Sequence, residues 1–245
     1  MKSITRCRAL GLVLAGLAFA ARGQNESVKP AGAGATTLRV AAVQLRSEPN
    51  LRANVASITK HLADCAARGV QVAAFPECAA SGYSREGVNA PSADDLVAAE
   101  KEIAAACRAS AISTIVGIPR MQGGKLYDSS VIIDAHGKIL AHYDKVYLTD
   151  EEKRWSLIGG TSLPPVFALG GVPASVQICH DSRFPELSRL PVIAGARVIF
   201  YISHEAALFK ESKMGPYRAQ VQARAVENNV FVVQANAPAN DVRSG

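Results

Sequence analysis

Short apolar runs rich in β-branched residues alternate along this chain with longer segments whose apolar positions recur every three or four residues. Residues 37–45 (TLRVAAVQL) read as a strand, and residues 50–68 place Leu51, Val55, Ile58, Leu62 and Ala66 on one helical face. A second strand, residues 70–75, closes at Pro76-Glu77, and an Ala-rich helix over 93–111 leads into a third strand, STIVGIP, at 113–119. Residues 125–134 and 138–144 form a hairpin-like pair around the turn signal Ala135-His136-Gly137. The pattern then resumes with a strand at 176–178, a helix to about 195, a strand at 197–203, a helix near 215–228 and a strand at 230–235. Such alternation, with hairpins in the middle, predicts an α/β fold with a mixed sheet covered on both faces. The 245 residues, 49% hydrophobic and 20% charged, suit a single sizeable core. We find no internal repeat and no second domain.

The first 23 residues stand apart. Lys2, Arg6 and Arg8 form a basic region ahead of a 12-residue apolar run, ALGLVLAGLAFA, and small residues at Ala18, Ala20 and Ala21 suit cleavage between Ala20 and Gly23. The run is short for a membrane span, so residues 1–23 read as a secretory signal peptide and the mature chain is expected to be exported. Residues 24–36, rich in Gly, Ala and polar side chains, read as a disordered linker, leaving 37–245 as the folded domain. The net charge of +6 is largely a product of the leader: without it 23 basic residues face 21 acidic ones. The charge balance therefore argues for neither nucleic acid nor an anionic surface as partner.

Four of the five cysteines, Cys65, Cys78, Cys107 and Cys179, would remain after cleavage. Four thiols can pair in an oxidising compartment, and sequence leaves the pairing of Cys65, Cys78 and Cys107 open. Their spacings match no paired metal-ligand pattern, the five histidines show none either, and no cofactor or metal is expected.

Three reactive side chains fall at predicted strand ends: Glu77 in VAAFPECAASGYS, Lys145 in AHYDKVYLTDEEKRW, and Cys179 in SVQICHDSRFPELSRL. Singly each has a plain explanation, as a solvated loop acid, a surface cation and a small buried hydrophobe. In α/β sheets, however, ligands gather beyond the carboxyl ends of strands, where these three groups can meet. A thiol between a strand and a helix start also sits where backbone N–H groups favour a thiolate or a developing oxyanion.

In these stretches, and in GARVIFYIS and ARAVENNVFVVQAN further on, the chain resembles the nitrilase superfamily of carbon–nitrogen hydrolases from about Leu38 onward. The resemblance implies a four-layer αββα sandwich whose further strands would follow Gly245, so that the sequence reads either as a fragment or as a domain with its final strands lost, and a homodimer or larger homo-oligomer. It also implies Glu77 as general base, Lys145 as oxyanion stabiliser and Cys179 as nucleophile. A further acid after the lysine is expected at Glu151 or Glu152, with Glu152 preferred because it precedes Lys153-Arg154-Trp155. The expected reaction is hydrolysis of a small linear amide or N-carbamoyl compound through a thioester, with a true nitrilase, a non-catalytic binding module and a thiol redox protein as alternatives. Candidate substrate contacts are His180, Arg183, Tyr83 and His204, each with a structural alternative: His180 and Tyr83 in packing, Arg183 in an ion pair with Glu186, and His204-Glu205 as a surface pair.

Overall fold

Helix starts follow from short polar side chains that satisfy the first free N–H groups. Asn50 caps α1 (Leu51–Ala67), its side chain accepting from the Ala53 N–H at 3.1 Å. Ser92 and Asp95 form a reciprocal capping box at the start of α3 (Ala93–Ser110). Each helix buries one stripe, Val55, Ile58 and Leu62 on α1 and Leu96, Ile103 and Cys107 on α3. The computed structural model describes residues 37–205 and 214–238. The signal peptide and linker expected at 1–36 lie outside these residues, as does the chain end on which the expectation of absent strands turned.

The remaining elements are strands β1 (Val40–Ala42), β2 (Val72–Ala74), β3 (Ser113–Gly117), β4 (Arg120–Gln122), β5 (Lys125–Tyr127), β6 (Ser129–Ile133), β7 (Ile139–Asp144), β8 (Phe167–Leu169), β9 (Val172–Ile178), β10 (Val198–Ser203) and β11 (Phe231–Asn236), with helices α2 (Arg85–Asn89), α4 (Asp150–Arg154), α5 (Pro185–Ile193) and α6 (Met214–Asn228). One mixed sheet has the order β1-β2-β3-β6-β7, parallel across its first three strands and antiparallel beyond. A second has the order β11-β10-β9-β8, parallel except for the last pair.

Alternation along the strands shows how the layers stack. Ala73, Val116, Val131 and Ile133 join the cluster under α1 and α3, whereas their neighbours Val72, Ala74, Ile115 and Ile132 join Ala174, Val176, Ile178, Val198, Phe200 and Ile202 between the two sheets. On the outer side of the second sheet, Gln177 meets Ser188 of α5 and Tyr201 meets Tyr217 of α6. The order is therefore helix, sheet, sheet, helix, the αββα arrangement expected. No helix among the described residues is long and apolar enough to cross a membrane.

Several boundaries differ from the sequence reading. The strand expected at 37–45 shrinks to Val40–Ala42, and the one expected at 125–134 breaks at Asp128, because β5 turns away to pair with β4 while β6 pairs with β3 and β7. A five-residue 3-10 turn, Cys179–Arg183, precedes α5. The two short helices and β8 carry too few residues to show a period. Cys65, Cys78, Cys107 and Cys179 are all free thiols.

One glycine bears directly on the site. A Cβ at Gly117 would lie 2.4 Å from the Cys78 nitrogen and the Pro76 oxygen and 2.7 Å from the Glu77 Cα. The end of β3 is thus packed against the backbone that carries Glu77. Gly117→Ala is expected to cost about 2 kcal/mol or more through this overlap, read as a lowered urea midpoint; an unchanged midpoint would show that the Glu77 loop yields freely.

Candidate active site

Each expected reactive group emerges where a strand gives out. Glu77 follows β2 in a turn whose next residue, Cys78, adopts φ +49°. Lys145 follows β7, its N–H donating to the Asp128 carbonyl at 2.8 Å. Cys179 follows β9 at φ +42°, a left-handed conformation costly for a residue with a side chain, and its carbonyl accepts hydrogen bonds from Ser182 Oγ and Tyr201 Oη, both at 2.9 Å.

The structure brings them together around the Lys145 ammonium. Nζ lies 2.5 Å from Glu77 Oε1, 2.5 Å from Glu152 Oε1 and 3.4 Å from Asp128 Oδ2, with all four side chains shut off from solvent. Glu152 is the acid that reaches the lysine; Glu151 is half-buried beside it. Glu152 also closes the capping box of α4, accepting from the Thr149 N–H at 2.7 Å, so the helix start fixes the acid. Glu77, Asp128 and Glu152 offer oxygens within 4.8 Å of one another, a spacing suited to a cation, and Lys145 supplies one.

The other candidates fall in different places. Tyr83 is buried, donates from Oη to Glu152 Oε1 at 2.7 Å, and stacks on the His204 ring at 4.7 Å between centroids. The His204 backbone N–H donates to Glu77 Oε2 at 2.8 Å. His180 is half-buried and lines a cleft of about 480 Å³ with Tyr147, Leu157 and Phe184. Arg183 is exposed, outside the buried cluster. Neither Asp128 nor Asp181 was singled out from sequence. The one visible signal for Asp128 is an acid interrupting an apolar run, and for Asp181 its position two residues after the cysteine. Glu205, weighed with His204 as either a pocket or a surface pair, places Oε1 3.7 Å from the Cys179 sulfur. Asp181 ties the two halves of the site by accepting from Tyr143 Oη at 2.7 Å and from the backbone N–H groups of Tyr147 at 2.8 Å and Val146 at 3.4 Å.

Burial sets the electrostatics. It pushes Glu77 well above the usual carboxylate range, Asp128 and Glu152 adding to the effect and Lys145 opposing it. Asp128 is lifted to about 6, chiefly by burial. Burial acts on Glu152 in the same direction, but Lys145 and the hydrogen bonds from Thr149 and Tyr83 outweigh it and hold that carboxyl below its ordinary value. Burial disfavours the Lys145 ammonium, yet Glu77, Cys179, Asp128 and Glu152 together raise it well above the normal lysine range, so it stays charged. Burial and then Glu77 raise the Cys179 thiol well above its usual value while Lys145 pulls it down. Burial, with Arg183 and Lys145, lowers His180. The arrangement is a protonated thiol facing a buried acid of raised basicity and a fixed positive charge.

The sequence profile of the family described as Carbon-nitrogen hydrolase matches residues 39–243. The chain belongs to that family. The Staphylococcus lugdunensis protein called "Hydrolase in agr operon" is 28% identical over 172 residues, 69% of this chain and 72% of that protein. The deaminated glutathione amidase of Synechocystis sp. (strain PCC 6803 / GT-S) is 32% identical over 210 residues, 79% of this chain and 75% of its own length. The amidase of Nesterenkonia sp. AN1, carrying the acetamide moiety of fluoroacetamide covalently on its active-site cysteine, superposes with a TM-score of 0.75 at 26% identity, covering 83% of this chain and 78% of that one. Fold and relatives together make this chain a carbon–nitrogen hydrolase.

Asp181 allows a test of the electrostatics. Burial first lifts its carboxyl from 3.8 to about 6. Between those values the native side chain keeps a proton that the unfolded chain has lost, so its contribution to stability falls as pH rises through this window. Asp181→Asn cannot titrate and should gain on the native protein by up to about 3 kcal/mol between pH 4 and 7. Urea unfolding of both proteins at each pH measures it, and a pH-independent difference would contradict the assignment.

Proposed function

We propose that the chain hydrolyses the carbon–nitrogen bond of a small linear amide or N-carbamoyl compound through a thioester on Cys179. The observation that carries this reading is the Lys145 ammonium held at 2.5 Å from both Glu77 and Glu152, in a buried group whose charges also act on the Cys179 thiol. A thiol so raised needs a base that is itself raised, and Glu77 is that base. As the sulfur attacks the carbonyl carbon, Glu77 takes the thiol proton, and the charge growing on oxygen meets Lys145 and the peptide N–H of His180. Collapse of the tetrahedral adduct breaks the C–N bond, Glu77 returns its proton to the departing nitrogen, and ammonia or an amine leaves. Water, losing a proton to Glu77, attacks the thioester, and the acid is released with the thiol restored.

Glu152 holds Lys145 without joining the proton traffic, since Lys145 and the hydrogen bonds from Thr149 and Tyr83 keep its carboxyl below its ordinary value. The ranking of amides above nitriles is supported by the relatives named as amidases and by a Nesterenkonia amidase mutant solved with butyramide. Export and self-association belong to the same proposal: the basic and apolar leader supports the first, and the second is supported by family resemblance.

Ammonia release by the purified chain against amides, ureido acids and nitriles tests the proposal. Cys179→Ala is expected to lower the rate on the preferred substrate by about a thousandfold or more. A folded protein inactive across the panel would end the amidase reading, and release from nitriles alone would convert it to a nitrilase.

A further inference from the structure

Three buried acids surround one ammonium, yet the chemistry above uses two of them. Asp128 sits at the junction of β5 and β6, 1% exposed, and is bound to Lys145 twice, through its carbonyl at 2.8 Å from the lysine N–H and through Oδ2 at 3.4 Å from Nζ. Its other oxygen, Oδ1, accepts from the Cys78 thiol at 3.6 Å. Oδ2 accepts no hydrogen bond from the described residues, and Asp128 offers an oxygen within 4.8 Å of oxygens of both Glu77 and Glu152. A buried acid with an open oxygen beside the base is poorly explained as packing.

We propose that Asp128 is a positioning residue that acts through Glu77: by sharing the Lys145 ammonium with it, Asp128 keeps Glu77 a competent base toward Cys179. The inference rests on the hydrolase reading of Glu77 and Cys179. Its physical basis is that an acid paired alone with an ammonium becomes a weak base, whereas like charges sharing one cation hold protons more tightly. The groups facing Asp128 are Lys145, Glu77, Glu152 and Cys78. Of these Lys145 favours its ionised form and Glu152 opposes it, while the Cys78 thiol donates to Oδ1. Burial lifts Asp128 to about 6, so at neutral pH its charge is present beside Glu77 and adds to the basicity of that carboxylate.

The test is the rate of Cys179 alkylation by iodoacetamide as a function of pH, with the labelled site resolved by peptide mass spectrometry from Cys65, Cys78 and Cys107. In Asp128→Asn, which keeps the shape and removes the charge, the acid limb of the profile should move down by about one pH unit or more, and the plateau rate should fall several-fold. Asp128→Glu restores the charge and should return the limb toward the wild-type position. A folded Asp128→Asn variant with the wild-type limb and plateau would overturn the proposal.

If the asparagine variant does not fold, infrared spectra of the wild-type protein decide the matter. A carboxyl band that titrates above the ordinary carboxylate range, is lost in Glu77→Gln and moves in Asp128→Glu is expected; a Glu77 band that titrates in the ordinary range, or one unmoved in Asp128→Glu, overturns the proposal. Ammonia release measured in parallel separates this inference from the amidase reading. A shifted limb in a protein that hydrolyses nothing keeps the role of Asp128 and ends the amidase, and hydrolysis with an unshifted limb does the reverse.

Discussion

An ammonium with no exposed surface cannot stand without anions around it, because taking it out of water costs several kcal/mol even after relaxation. Lys145 is such a group, and much of the local structure exists to satisfy it. The turn after β2 brings Glu77, the break between β5 and β6 brings Asp128, and the cap of α4 brings Glu152. Three acids against one base leave an excess of negative charge that burial will not tolerate in full. The excess keeps Glu77 more basic than an ordinary carboxylate, and a basic carboxylate beside a thiol is what acid–base chemistry at that thiol requires.

The two halves of the site come from different sheets. Glu77 and Lys145 leave the first sheet, whereas Cys179 and His204 leave the second. Their relative position is set by bonds that cross between the sheets: Asp181 holds the backbone beside Lys145, and the His204 N–H holds the free oxygen of Glu77. The left-handed backbone at Cys179 persists because its carbonyl is gripped by Ser182 and Tyr201. Apolar packing between the sheets supplies the gross alignment, and these polar ties make it precise.

A sheet covered on both faces was legible from the apolar runs, but the four layers came from the family resemblance: Val72 and Ala73, or Ile115 and Val116, divide between opposite faces, and both faces are buried, so the run carries no visible alternation. Glu77, Lys145 and Cys179 were legible because charged or reactive residues at the ends of apolar runs are conspicuous. Asp128 was hidden by its surroundings: it lies inside what reads as one strand, and the turning away of β5 toward β4 is a tertiary choice with no local signature. The choice between Glu151 and Glu152 was open to a sharper local reading. Thr149 with an acid three residues later is a capping box, and the capping acid is the one held in place. The three residues of β8 gave no period to read, and only their partner β9 defines them.

The hydrogen bond from His204 to Glu77 joins residues 127 positions apart, and the ion pair of Lys145 with Glu77 spans 68. Contacts of such long range form late, because the entropy of closing the intervening chain must be overcome first. Until both sheets have docked, Cys179 has no paired base and no neighbouring ammonium, and its thiol is chemically ordinary. Under the proposed reaction the chain carries Cys179 in a quiescent form through synthesis and collapse, and reactivity arrives as a property of the finished tertiary structure.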